Sequence, residues 1–140
     1  MGRVIKGEVV IPGQAAGLAL VSEESLSFWG GYDWQTGEIT DRRHPLSGQI
    51  AAGRVLCLPF SRGSSTTTAV LLEAIRNGTA PAAILTTGAD FFFALASVVA
   101  DELYTQAVPL IALDAADFAQ LKSGDMLVLG QDGSITIEET

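Results

Sequence analysis

The sequence predicts a single domain of the α/β class, and three observations carry that expectation. From Arg54 onward, short continuous apolar runs alternate with segments of helical periodicity. Before Arg54 only strand-like runs occur, broken by Gly and Pro. A chain of 140 residues fits one domain, residues 1–140, and hardly two. A β-α-β-α-β unit gives a parallel sheet with helices, which the short strands of the first half cover or extend.

Residues 4–11 are rich in β-branched side chains and stop at Pro12-Gly13, so they read as one strand. Residues 17–21 and 26–29 are two further short strand-like runs, the second ended by Gly30-Gly31. Residues 32–40 read as a turn or hairpin bending at Gly37. Residues 41–45 form a charged loop in which Pro45 disfavours a helix. Residues 54–59 have the length and apolarity of a buried strand, and 61–65 form a loop of small residues. Val70, Leu71, Ala74 and Ile75 then lie on one helical face, and Asn77-Gly78 closes that helix with a left-handed cap. Residues 82–86 are the next buried strand. Asp90 caps a helix over 91–103, and 108–113 form a strand. Asp114 caps a short helix to Leu121, and residues 125–129 and 135–138 pair as a hairpin around 131–134.

Composition excludes several classes of function. With 16 acidic and 8 basic residues the net charge is −8, which argues against a nucleic-acid surface. The longest apolar stretch, 91–100, is far short of a bilayer span, and the N-terminus shows no apolar targeting segment. A soluble, cytoplasmic protein is expected. Mean hydropathy of +0.34 is high for a free-standing monomer, so a partner is expected to cover part of the surface. One cysteine, Cys57, can neither form an internal disulfide nor hold a zinc or iron–sulfur site alone.

The loop Pro59-Phe60-Ser61-Arg62-Gly63-Ser64-Ser65-Thr66-Thr67-Thr68 is the most informative stretch. It leaves a buried strand and opens a helix, the place where α/β sheets bind ligands. Backbone N–H groups and the dipole at a helix start favour an anion there, and Gly63 permits close approach. No P-loop lysine is present, so nucleotide hydrolysis does not fit. The alternative is a Ser/Thr-rich helix start that binds nothing. The lone His44 shows no ligand spacing and no nucleophile elbow, and reads as solvated or facing an interface. Arg42 and Arg43 could bind a carboxylate, pair with a partner subunit, or simply be solvated. Phe91, Phe92 and Phe93 cannot all share one helix side, so one faces a partner or a second layer. Trp29-Gly30-Gly31 either passes close to a ligand or plugs the core.

Several segments together resemble the small subunit, or swivel domain, of the aconitase X family. They are Leu26-Ser27-Phe28-Trp29-Gly30-Gly31-Tyr32-Asp33, Thr36-Gly37-Glu38-Ile39, Asp41-Arg42-Arg43-His44-Pro45, Gly53-Arg54-Val55-Leu56, Arg62-Gly63-Ser64-Ser65 and residues 72–83. The resemblance implies the swivelling β/β/α fold, like the mobile last domain of aconitase. It also implies a two-part hydro-lyase. In that arrangement a large subunit ligates an iron–sulfur cluster and holds most of the pocket for a small hydroxy-acid substrate. The small part brings a serine.

Residue by residue, the aconitase-like serine base falls on Ser64, between Gly63 and Ser65. Thr66 stands where aconitase has a substrate-binding Arg, so a carboxylate would be held by Arg62, Arg42, Arg43 or the large subunit. A serine removes a carbon-bound proton only when its alkoxide is stabilised, and a helix start supplies aligned N–H donors. The resemblance implies one of two substrate classes, cis-3-hydroxy-L-proline or phosphomevalonate, and favours the first. The rival from another class is a non-catalytic swivel domain that only binds a partner.

Overall fold

The computed structural model describes residues 2–60, 65–88 and 90–138, the Ser65 side chain excepted. The chain runs β1 (Gly2–Lys6), β2 (Glu8–Ile11), β3 (Ala15–Val21), β4 (Val55–Cys57), α1 (Ser65–Asn77), β5 (Ala83–Thr86) and α2 (Phe91–Tyr104). It ends β6 (Leu110–Ala112), α3 (Ala115–Phe118), β7 (Met126–Leu129) and β8 (Ser134–Glu138). Strand order is β1-β8-β7-β3-β4-β5-β6-β2. The stretch β3-β4-β5-β6 is parallel, as expected, and every other pairing is antiparallel.

Residues 4–11 form two strands, not the single strand expected. β1 and β2 lie at opposite edges of the sheet, yet only Gly7 separates them. The sheet therefore curls until its two edges meet at Gly7, whose N–H donates to Gly133 O (3.0 Å). Only glycine fits that seam, since a Cβ at Gly7 would lie 2.5 Å from Ile111 Cγ2 and 2.7 Å from Ala112 O.

Side-chain alternation along the strands sorts the core into two layers. Val55, Cys57, Ala83, Leu85 and Ile111 point into the curled sheet, where they meet Ile5, Leu127 and Ile137 from its antiparallel half. Phe118 and Leu121 join this inner cluster from α3 and the turn after it. Leu20, Leu56, Ile84 and Leu110 point the other way, against Leu71, Ala74 and Ile75 of α1 and Phe93, Ala96 and Ala100 of α2. The result is the expected β/β/α layering.

The β3–β4 connection corrects a second expectation. Residues 26–29 are not a strand. Leu26 and Phe28 are instead fully buried in the helix-side core, with Phe28 stacked on Tyr32 (4.8 Å) and tilted against Phe93 (5.1 Å). The Tyr32 hydroxyl donates to Thr79 O (2.7 Å), and Asn77 Nδ2 donates to Gln35 O (3.2 Å), pinning this connection to the end of α1. Gly78 closes α1 with φ of +77°, the expected left-handed cap.

Candidate functional site

The carboxyl ends of β3, β4, β5 and β6 all open on one side, and main-chain bonds continue past the strand ends. Ser22 N donates to Cys57 O (3.0 Å), Leu58 N to Leu85 O (3.0 Å), Thr87 N to Pro59 O (3.0 Å) and Leu113 N to Thr86 O (2.7 Å). The Thr87 hydroxyl also donates to Pro59 O (3.0 Å). These bonds hold the two chain segments that lead into α1 and α2.

The two helix starts are neighbours and differ electrostatically. α2 is capped by Asp90, whose Oδ1 accepts from Phe92 N (3.0 Å) and Phe93 N (3.1 Å), so a carboxylate already faces that dipole. α1 carries no acidic side chain in its first turn. Its first turn is Ser65-Thr66-Thr67-Thr68; Thr67 is buried, and Thr68 Oγ1 donates to Phe92 O (3.1 Å) across to α2. The mouth is rimmed by exposed aromatics: Phe60 at the exit of β4 (56% exposed) and Phe91 at the start of α2 (68%).

Among the expected site residues, Arg62, Gly63 and Ser64 lie outside the described residues, as does the side chain of Ser65. Thr66 is half-buried in the first turn of α1. Arg43 is exposed, in a loop built on Asp41: Oδ1 accepts from Arg43 N (3.0 Å) and the carbonyl accepts from His44 N (3.0 Å). His44 is not solvated. It is 7% exposed; Nδ1 accepts from Leu46 N (3.1 Å), which leaves Nε2 to donate to Glu24 O (3.2 Å). The ring thus ties the Arg42–Arg43 loop to the segment leaving β3. Sequence reasoning missed this tie, and the Thr68–Phe92 bond between the helix starts. The Phe60 rim was visible as an aromatic between a buried strand and a small-residue loop.

A family model described as the aconitase X swivel domain matches residues 4–137. The chain belongs to that family. The swivel domain is 44% identical over 110 residues to a cis-3-hydroxy-L-proline dehydratase of Pseudomonas aeruginosa, a match covering 79% of this chain and 19% of the relative. It is 35% identical over 136 residues to the phosphomevalonate dehydratase small subunit of Thermococcus onnurineus, covering 96% of this chain and 98% of the relative. The chain spans about a fifth of the length of the cis-3-hydroxy-L-proline dehydratases it matches, 19% and 20%. A crystal structure of Thermococcus kodakaraensis aconitase X in its holo-form superposes with a TM-score of 0.86 at 31% identity, over 98% of this chain and 99% of that one. The β/β/α architecture expected from the sequence is therefore that of the swivel domain.

An iron–sulfur cluster does not fit the described residues of this domain. No group of three or more His, Cys, Asp or Glu among them is placed to hold a metal. Cys57 is fully buried inside the curled sheet, where burial pushes its thiol well above the ordinary range, away from the thiolate a cluster needs. Both ring nitrogens of His44 have main-chain partners. Burial likewise raises Tyr32, whose hydroxyl is committed to Thr79 O.

Proposed function

We propose that this swivel domain is the small part of an iron–sulfur hydro-lyase, acting on a small hydroxy acid together with a large subunit that ligates the cluster. Ser64 is the base. It takes a proton from carbon, the C–H electron pair becomes the new double bond, and the hydroxyl leaves from the neighbouring carbon. In the bond-breaking step itself, the contribution of this chain is the removal of that proton.

One observation supports the serine most directly. α1 opens at Ser65, the residue after Ser64, at the carboxyl end of β4, and its first turn holds no acidic side chain. The N–H groups of a first helical turn have no partners within their own helix and stabilise an oxyanion. The neighbouring start of α2 faces the Asp90 carboxylate instead. In this reading Arg62, Gly63, Ser65, Thr66 and Arg43 are the residues that bind the substrate.

The substrate reading follows the higher identity, 44%, toward cis-3-hydroxy-L-proline dehydratase. A second reading, phosphomevalonate, rests on the match in length to a separate small subunit, 98% of that relative. The test is co-purification with a cysteine-bearing large subunit, followed by assay on both compounds. Dehydration should require both chains and proceed on cis-3-hydroxy-L-proline. Turnover by this chain alone, or no association with the large subunit, overturns the proposal.

A further inference from the structure

We propose that the outer face of α2, from Phe91 at the catalytic mouth to an acidic groove at its far end, is the surface that docks on the large subunit. This rests on the two-part reading above. α2 buries a narrow stripe of Phe93, Ala96, Ser97 and Ala100 against the rest of the domain. Its opposite stripe should be polar in a helix that faces water. Instead it presents Phe91, Leu95 and Val98, at i, i+4 and i+7, with exposures of 68%, 38% and 54%. This row covers two turns of one helix, a contiguous patch of the kind that marks a contact surface.

Two features identify the occupant. The first is position. Phe91 begins the helix whose first turn is tied to α1 by the Thr68–Phe92 bond, so this exposed aromatic stands beside the site at the α1 start that the large subunit completes. The second is charge. The last turns of α2 carry Asp101 and Glu102 and no basic residue, at the end where the helix dipole is already negative. Among the described residues neither carboxylate has an ion pair. Both line a groove of about 290 Å³ together with the apolar side chains of Ile11, Pro12 and Val98. That arrangement is unfavourable in the isolated chain and fits a Lys or Arg side chain with an apolar stem.

A second copy of this chain does not supply that cation. Pairing α2 with α2 about a twofold axis puts the acidic end of one beside Phe91 of the other, between two bodies each carrying −8. A large subunit presenting an apolar strip with a basic residue at one end matches both halves of the surface.

The test is calorimetric titration of the purified large subunit with this chain and its variants, each checked for an unchanged melting curve. Val98→Asp should weaken binding by about thirtyfold or more, the loss expected at the centre of an interface. Val98→Gln is the milder partner that keeps the test valid should the aspartate unfold the helix. Asp101→Asn with Glu102→Gln should weaken binding about tenfold and flatten its salt dependence. Wild-type binding by all folded variants overturns the docking surface and leaves the two-part function standing. Failure of the wild type to bind overturns both. Self-association of the isolated chain that Val98→Asp abolishes assigns the face to a second copy and also overturns the proposal.

Discussion

Thr68 in the first turn of α1 donates its hydroxyl to the main-chain carbonyl of Phe92 in the first turn of α2, at 3.1 Å. The two helices follow adjacent parallel strands, so this bond fixes the spacing of two helix starts at the mouth of the sheet. One start faces the Asp90 carboxylate and the other has no acidic side chain in its first turn, which makes their separation an electrostatic quantity as well as a packing one.

Thr68→Val keeps the shape and removes the donor. A single hydrogen bond of this kind contributes about 0.5–1.5 kcal/mol, so melting should fall by a few degrees. Turnover of the assembled enzyme should fall severalfold, because the start of α1 is no longer held against α2. Wild-type turnover at a lowered melting temperature would reduce the bond to a stabilising contact.

Ser64→Ala in the complex should reduce turnover by about 10²–10⁴-fold, the usual loss when a base is removed. Assembly and the circular dichroism spectrum should be unchanged. Ser65→Ala should cost less turnover than Ser64→Ala, and the reverse ranking of the two variants would move the base to Ser65.

The elements most legible in sequence were those with a single physical cause. Asp90 and Asp114 were readable as caps because the side chain answers the first N–H groups of its own helix. The parallel strands were readable because each is short, apolar and bounded by turns. Residues 26–29 looked like a strand for the same reason, yet Leu26 and Phe28 are apolar because they fill the gap beside α2, through a stack with Tyr32 and a tilted contact with Phe93. Local pattern cannot separate those causes. The break at Gly7 was equally invisible, since the seam depends on Gly133 and Ile111, far away in sequence. His44 read as solvated or facing an interface because its partner, Glu24 O, lies twenty residues upstream.

Arg43 separates two roles for its loop. A guanidinium that grips a carboxylate with two parallel bonds is not replaced by an ammonium. Arg43→Lys should therefore raise KM in the assembled enzyme while leaving the complex intact in native mass spectra. An unchanged KM with weakened assembly would transfer the residue from substrate to partner. Arg42→Ala, Arg43→Ala and His44→Ala all indistinguishable from wild type would leave the loop without a role in either.

Cys57 should make the fold sensitive to alkali. Its buried thiol stays protonated in the folded chain well above the ordinary value of about 8.5. Above that value the unfolded chain gives up the proton and the folded chain retains it, so stability falls as pH rises. The slope is about 1.4 kcal/mol per pH unit for one group. Tyr32 is raised in the same direction and adds its own slope above about pH 10. Denaturant melts between pH 8.5 and 10 should show a shallower decline for Cys57→Ala than for wild type. Parallel declines would mean that Cys57 does not titrate differently in the two states.

Closure of the sheet at Gly7 gives the most direct structural test. A Cβ there would lie 2.5 Å from Ile111 Cγ2, 2.7 Å from Ala112 O and 2.7 Å from Leu113 Cδ2. Ile111 and Leu113 belong to the inner core, and Ala112 O is backbone held in the ladder between β2 and β6, so none of the three can retreat freely. Gly7 N also donates to Gly133 O, which joins the start of β2 to the turn before β8. Gly7→Ala therefore has to open the seam or displace β6, and overpacking of this sort costs about 1–3 kcal/mol. Gly88→Ala is the matched control: among the described residues a Cβ there meets nothing within 4 Å, and the backbone is not left-handed, so its melting temperature should hold or rise slightly. Amide exchange in β1, β2 and β6 should accelerate in Gly7→Ala and stay protected in Gly88→Ala, since the damage is confined to the strands that meet at the seam. Equal melting temperatures for the two variants would show that the edges of the sheet are not locked together at Gly7.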